Sequence, residues 1–298
     1  MDIKSPKTFD EQIDLLHSRG ISIEDRDFAR TVLSNINYYV LTGYLLPYKK
    51  SNGNYQPTSF NTIFNQFRFD SALKNLVLSQ IETAELSLKT KTAYHIAHNY
   101  RNVALVFDQD NRTTFFEGES FYVDIGRQRS LEDKLGANIH HNQHLDFVKH
   151  HIQKYNGRFP MWVIIELFTL GNLRHLYDNL PKQSQKEISR QYGVENFIMN
   201  SWIECLRKTR NSIAHQMRVY GVRNSYSPII PRSEPLFHQT THTIFDQIYL
   251  LRWFQFDQEH WQHFLDELEA LVEKYDWCIN RKALGFPGNW KEILSTKP

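Results

Sequence analysis

Cysteine is scarce in this chain, and no stretch is apolar enough over a sufficient length to cross a membrane. Only two cysteines occur among 298 residues, Cys205 and Cys278, which is too few for a disulfide framework and favours a reducing compartment. The longest apolar run, over 161–173, is interrupted by Glu166 and is too short for a bilayer-spanning helix. The first seven residues lack the apolar segment of a signal peptide. We therefore expect a cytoplasmic protein without a membrane partner.

An excess of charge of either sign is also absent. The formal net charge is only +2, so any binding to nucleic acid has to come from a local basic patch. Hydrophobic residues make up 41% of the chain and aromatic residues 14%, which is typical of a globular protein with a large core and not of a disordered chain.

The hydrophobic periodicity predicts an all-α, multi-helix bundle with helical extensions at both ends and no β-rich segment. Helices are expected over 8–18, 25–36 and 60–100. The stretch 101–145 has mixed charge and weak periodicity, and we interpret it as an irregular insertion. The chain thus divides into an amino-terminal helical region, 1–100, this insertion, and a second helical region, 146–298, within one continuous body.

The segment 207–218 is predicted to be the most informative part of a long amphipathic helix that continues to residue 220. On a helical wheel of about 100° per residue, one apolar arc contains Trp202, Ile203, Leu206, Ile213, Met217 and Tyr220. A neighbouring arc about 140° wide contains Glu204, Arg207, Arg210, Asn211, Ala214, His215 and Arg218. The second arc is the predicted functional face.

The residue types on this face suit cleavage of RNA without a metal or cofactor. Histidine is the side chain best suited to exchange a proton near neutral pH, so the imidazole of His215 can take or give the proton of a ribose 2′-hydroxyl. Arg210 can hold two phosphoryl oxygens, and Asn211 can orient the imidazole or hold a phosphate oxygen. Arg207, Lys208 and Arg218 are the candidate RNA-binding residues. A basic helix face that binds phosphates without cleaving them is the alternative interpretation.

A third hypothesis is a histidine-rich metal protein. Five histidines lie close together in sequence: His140, His141, His144, His150 and His151. Zinc or nickel can bind such a cluster, but no acid or thiolate follows at a characteristic spacing. We therefore predict no metal site and interpret these histidines as surface residues.

The run from Arg210 to His215 resembles the Arg-Asn-x3-His motif of HEPN-domain ribonucleases. The flanking sequence resembles the bacterial abortive-infection (Abi, AbiD/AbiF-type) family, in segments at 9–23, 36–48, 69–98, 160–171 and 284–290. This resemblance implies a HEPN-like helical bundle and a metal-independent endoribonuclease toxin in antiphage defence. A non-catalytic module that holds a small structured RNA is the alternative function that we retain.

The resemblance also implies a homodimer. HEPN ribonucleases generally build one site from two motif helices, whereas this chain contains one motif, so two copies of Arg210 and His215 would face each other across a two-fold axis. Ala214 would permit the close approach. HEPN toxins silenced by a nucleotidyltransferase carry a Tyr two residues after the motif His, where this chain has Met217, so control by tyrosine nucleotidylation is not expected. Glu166 lies in an apolar run and is expected to pair with a base such as Arg210.

Overall fold

The computed structural model describes residues 5–51, 53–109, 113–237 and 239–296. Residues 1–4, part of the stretch that lacks a signal-peptide pattern, lie outside these ranges. The helices up to residue 141 are α1 (Phe9–Ser18), α2 (Arg26–Asn35), α3 (Tyr38–Thr42), α4 (Phe60–Asn99) and α5 (Ile125–His141). Those that follow are α6 (Asp146–Lys154), α7 (Met161–Ile164), α8 (Leu170–Asn179), α9 (Lys182–Arg190), α10 (Asn196–Ala214), α11 (Ile244–Leu251), α12 (Gln258–Tyr275), α13 (Arg281–Leu284) and α14 (Trp290–Ser295). Short 3₁₀ helices cover Gly43–Tyr48, Ile165–Leu167 and Arg252–Phe254.

The early helices agree with the sequence prediction because their end signals are strong. Thr8 and Glu11 form a reciprocal capping box at the start of α1, and the side chain of Asp25 caps α2. The predicted long helix is α4, which ends one residue before the expected boundary.

Helix α4 is the centre of the fold. Its 40 residues span about 60 Å at 1.5 Å per residue. Buried side chains occur on several of its faces, and helices from both halves of the sequence pack against it, including α7, α10, α11 and α12. Buried apolar side chains from the amino-terminal to the carboxyl-terminal helices therefore belong to one core cluster.

Two small β-sheets interrupt this helical body, so the protein is mostly α and not strictly all-α. Strands β1 (Ile21–Ser22) and β2 (Thr58–Ser59) pair in parallel. Strands β3 (Ala104–Asp108), β4 (Thr113–Glu117) and β5 (Arg158–Pro160) form an antiparallel sheet in the order β4-β3-β5.

The prediction that 101–145 is irregular and contains no β-rich segment is wrong. Strands β3 and β4 form a hairpin, and α5 covers it. The side chain of Glu132 on α5 accepts a hydrogen bond of 2.8 Å from the backbone N–H of Phe116. Gly136 permits the close approach, because a Cβ at this position would lie 2.3 Å from the hydroxyl oxygen of Thr114.

Within the described residues, no helix is both long enough and apolar enough to cross a lipid bilayer. This holds for α4, the longest of the helices given above, whose 40 residues carry many polar and charged side chains.

Candidate functional site

Helix α10 carries the predicted functional face and is fixed on its opposite side. Trp202, Ile203, Leu206 and Ile213 are buried, as predicted for the apolar arc. The indole N–H of Trp202 donates to the carbonyl oxygen of Ile229 at 2.9 Å. The hydroxyl of Thr209 donates to Gln247 on α11 at 3.2 Å. These contacts hold the helix in one orientation relative to the core.

The helix ends earlier than predicted, at Ala214. Gln216 adopts a left-handed conformation with φ of 56°, its N–H donates to the carbonyl of Ile213, and the N–H of Met217 donates to the carbonyl of Ser212, both at 2.9 Å. This pair of bonds is a Schellman motif, which closes a helix. Met217, predicted to be buried, is therefore 59% exposed.

A buried carboxylate fixes the chain after this turn. Asp70 on α4 is fully buried and accepts hydrogen bonds from the backbone N–H groups of Val219 at 3.2 Å and Tyr220 at 2.7 Å. It also accepts from the hydroxyl of Tyr44 at 2.7 Å, and the ammonium of Lys74 lies 3.7 Å away. Burial raises the pKa of Asp70, while these partners act in the opposite direction.

Tyr220 is buried although it does not lie on α10. Its ring stacks on Tyr44 with a centroid distance of 6.3 Å, and its hydroxyl oxygen accepts from the backbone N–H of Asn280 at 2.9 Å. Tyr220 thus joins the amino-terminal region, the end of the motif segment and the carboxyl-terminal region. Its hydroxyl is not available for modification in the folded protein.

The three predicted catalytic residues lie at the carboxyl-terminal end of α10. Arg210 and His215 are exposed, and Asn211 is half-buried. Across the described ranges, their side chains form no hydrogen bond or ion pair. In ideal helical geometry, five positions place Arg210 and His215 about 140° apart around the axis and about 7.5 Å apart along it. One helix alone therefore directs the two side chains to different sides of its end.

Two of the predicted RNA-binding residues belong to an ion-paired cluster. Arg207 donates two hydrogen bonds of 2.9 Å to the carboxylate of Glu204, and Lys208 lies 3.3 Å from it. Arg174 of α8 is 3.6 Å from Glu204 and also contacts Asp178. The Arg207 guanidinium lowers the pKa of Glu204. Two carboxylates thus neutralise most of the charge of three cations.

Arg218 is separated from this cluster because it follows the end of the helix. Its guanidinium carbon lies 5.7 Å from the ring centroid of Tyr44, and its Nη1 is buried and has no hydrogen-bond partner among the residues that the structure describes. The predicted RNA-binding residues therefore fall into two environments. Arg207 and Lys208 remain beside Asn211, whereas Arg218 packs against the amino-terminal region.

Sequence reasoning missed Asp70, Glu204 as a counter-ion, and Arg174. The spacing of Glu204 to Arg207 and Lys208, three and four residues, was a usable signal for ion pairing on a helix. The contacts of Asp70 and Arg174 join distant parts of the chain and leave no local pattern. The expected pairing of Glu166 is wrong: Glu166 lies on the exposed side of a 3₁₀ turn and forms no ion pair with any residue whose position is described.

The histidine-rich segment does not assemble a recognisable ligand set. In the described part of the chain, no three His, Cys, Asp or Glu side chains are grouped so that they could hold a metal ion. His151 instead pairs through Nδ1 with the carbonyl oxygen of Arg158 at 2.8 Å. His140 lines a pocket of about 1010 Å³ between the β3–β4 hairpin and α5, and no motif residue lines that pocket.

A family model described as Abi-like protein matches residues 31–221. The matched region includes Tyr44, Asp70, the whole of α10 and the segment through Tyr220. No curated protein is significantly similar to the chain, and no solved structure is.

Proposed function

The chain belongs to the Abi-like protein family, and we propose that it is a metal-independent endoribonuclease that acts in abortive infection. Family membership points to a defence role. The proposal of RNA cleavage rests on one observation: an arginine, an amide and an imidazole occur within six residues at the end of α10, and their side chains form no hydrogen bond or ion pair with the residues that the structure describes. Side chains that are not committed to the protein's own hydrogen bonds remain available to a phosphodiester.

The proposed chemistry needs only this chain's residues. The imidazole of His215 accepts the proton of the ribose 2′-hydroxyl as that oxygen attacks the adjacent phosphorus. The bond from phosphorus to the 5′-oxygen breaks, and that oxygen takes up a proton from water, while the protonated imidazole returns its proton to the solvent. Arg210 stabilises the charge on the non-bridging oxygens, and Asn211 orients the imidazole or the phosphate. The products are a 2′,3′-cyclic phosphate and a 5′-hydroxyl, and DNA is not a substrate because it lacks the 2′-hydroxyl.

A homodimer would solve the geometric problem posed by one helix. Because Arg210 and His215 point to different sides of the end of α10, a second copy related by a two-fold axis can place its His215 opposite the first copy's Arg210. Exposed Ala214 leaves room between the helices, and the exposed side chain of Met217 supplies apolar surface beside them.

The test is cleavage of RNA by the purified protein in EDTA, with the product ends identified. We expect cyclic phosphate ends, and we expect Arg210→Ala and His215→Ala each to abolish cleavage while leaving the circular dichroism spectrum unchanged. Arg223→Ala and His144→Ala are matched controls, because both residues are exposed and lie outside the motif. Full cleavage by either motif variant would exclude this mechanism. Salt-sensitive RNA binding that survives His215→Ala, with no cleavage by the wild type, would instead favour the non-catalytic RNA-binding module.

A further inference from the structure

A second pocket combines exposed aromatic rings with positive charge. It has a volume of about 620 Å³ and lies where α6 ends and β5 begins, and no carboxylate is among the described residues that line it. The side chains that matter are His150, His151, Lys154, Tyr155, Arg158 and Trp162. The volume is in the range of small-molecule sites. None of the residues of the α10 motif lines this pocket.

A column of rings leads from the core to this pocket. The ring of buried Phe159 stacks on His151 with a centroid distance of 5.3 Å and an interplanar angle of 27°. The ring of His151 stacks on Tyr155 at 4.9 Å and 29°. Tyr155 is the outermost ring of the column and is 45% exposed. A further planar group can extend such a column by stacking on it.

Trp162 supplies a second exposed ring in the same pocket. It stands in the first turn of α7, directly after the edge strand β5, and 61% of its surface is exposed. Two other residues of this short helix, Met161 and Ile164, are fully buried and belong to the core. The exposed indole of Trp162 does not contribute to the core in the same way.

The positive charge at the pocket is only partly neutralised. Arg158 donates a hydrogen bond of 2.8 Å to Glu117. Lys154 is exposed, its ammonium lies 5.7 Å from the ring centroid of Tyr155, and no carboxylate among the residues with described positions pairs with it. Aromatic rings beside a free ammonium match a ligand that carries both a flat ring system and a phosphate.

We propose that this pocket binds one nucleotide of a single-stranded RNA. The base stacks on the exposed ring of Trp162 or Tyr155, and its phosphate pairs with Lys154. Stacking of this kind tolerates any sequence because every base has a π-face. This proposal rests on the proposed function in one respect, the choice of RNA as the ligand. The pocket would be a subsite that holds the RNA strand at a place outside the cleavage motif.

Fluorescence anisotropy with a labelled, unstructured 12-nucleotide RNA tests this assignment in the full-length His215→Ala background, which prevents cleavage. Trp162→Ala is compared with Trp277→Ala, because Trp277 is equally exposed, at 60%, but lies after α12. Lys154→Gln is compared with Lys186→Gln on the exposed side of α9. We expect Trp162→Ala to weaken binding about fivefold or more. We expect Lys154→Gln to weaken binding and to lower the salt dependence by about one ion, with both controls unchanged.

Adenosine monophosphate distinguishes the source of the nucleotide. Weak binding of the monophosphate that also depends on Trp162 supports the assignment, whereas tight binding of the monophosphate without RNA binding would overturn it in favour of a free nucleotide. Equal RNA affinity of Trp162→Ala and Trp277→Ala, or no RNA binding at all, would also overturn it. The wild-type cleavage assay is a separate readout. If the wild type does not cleave RNA but binds it in a Trp162-dependent way, the subsite is supported and the nuclease proposal is not. If the wild type cleaves RNA but Trp162→Ala binds it normally, only the nuclease proposal is supported.

Discussion

The carboxylate of Asp70 accepts a hydrogen bond of 2.7 Å from the backbone N–H of Tyr220, although the two residues are 150 positions apart. The same carboxylate contacts Lys74 one turn along α4. The end of the motif segment is thereby fixed to the central helix of the fold. The position of His215, five residues before Tyr220, depends on this attachment as well as on α10.

Replacing this carboxylate is expected to destabilise the fold strongly. Asp70→Asn keeps the size of the side chain but removes the counter-charge of buried Lys74 and presents an amide donor to groups that also donate. We expect the free energy of unfolding to fall by about 3 kcal/mol, measured by urea denaturation. Adding Lys74→Met should recover part of this loss, because the unpaired ammonium is removed. If the double variant loses as much free energy of unfolding as the two single variants together, Asp70 and Lys74 are not coupled.

The left-handed turn at Gln216 is expected to cost stability. A non-glycine residue at φ of 56° carries a strain of about 1–2 kcal/mol. Glycine removes this strain, but its greater conformational freedom in the unfolded chain offsets part of the gain. Gln216→Gly should therefore raise the free energy of unfolding by about 0.5–1 kcal/mol. Gly193→Ala is the reciprocal control, since Gly193 has φ of 71° and no atom near the position of a Cβ, and it should destabilise by a similar amount. No gain from Gln216→Gly would show that this turn is unstrained.

The same turn shows what the sequence can and cannot predict. Helices α1, α2 and α4 follow from periodicity and capping residues such as Thr8 and Asp25, because those signals are local. The end of α10 was mispredicted because Gln216 carries no preference for a left-handed conformation. The chain just after this turn is held by Asp70, which is distant in sequence and leaves no local pattern.

The β3–β4 hairpin was missed for a related reason. Its strands are five residues each, and β3 also pairs with β5, where Leu105 lies opposite Phe159. A strand of five residues is too short to show a clear alternation of apolar and polar residues. Its pairing with a strand some fifty positions later is not visible in the local sequence. The site follows the same division. The helical wheel places Arg210 and His215 outside the apolar arc, but at the apolar edge it predicts a buried stem for Arg210, which is exposed. The contact of Arg174 with Glu204 has no local pattern that predicts it.

Stability is expected to decrease as the pH falls below about 6.5, the ordinary pKa of histidine. Burial lowers the pKa of His95, with the charge of Glu187 acting in the opposite direction, and burial also lowers the pKa of His175. Above the ordinary pKa both states are neutral, and this stability is fully present. As the pH falls, the unfolded chain binds protons before the folded one does, so stability is lost until the lowered folded-state pKa is passed.

The measurement is the free energy of unfolding in urea at several pH values between 5 and 8. We expect His95→Gln to reduce the slope of stability against pH, because one of the two contributing groups is removed. His144→Gln, at an exposed position, should leave the slope unchanged. A slope identical in the wild type and in His95→Gln would show that His95 does not contribute.

Glu204 is expected to limit the affinity of the α10 face for RNA. Its carboxylate pairs with Arg207, Lys208 and Arg174, so Glu204→Gln would release positive charge beside Asn211 without changing the size of the side chain. In the His215→Ala background we expect RNA affinity at low salt to rise by roughly threefold or more, with a steeper salt dependence. Stability should change little, since partly exposed ion pairs contribute about 0–1 kcal/mol each.

Glu259→Gln separates this local effect from a general change in net charge. Glu259 is exposed in the first turn of α12, so its replacement adds the same unit of positive charge away from the α10 face. If both variants raise the affinity equally, the gain comes from overall charge. If only Glu204→Gln does so, the RNA lies against Arg207 and Lys208. Unchanged affinity in Glu204→Gln at low salt would place the RNA elsewhere, because released guanidinium and ammonium groups in contact with phosphate must add to the attraction.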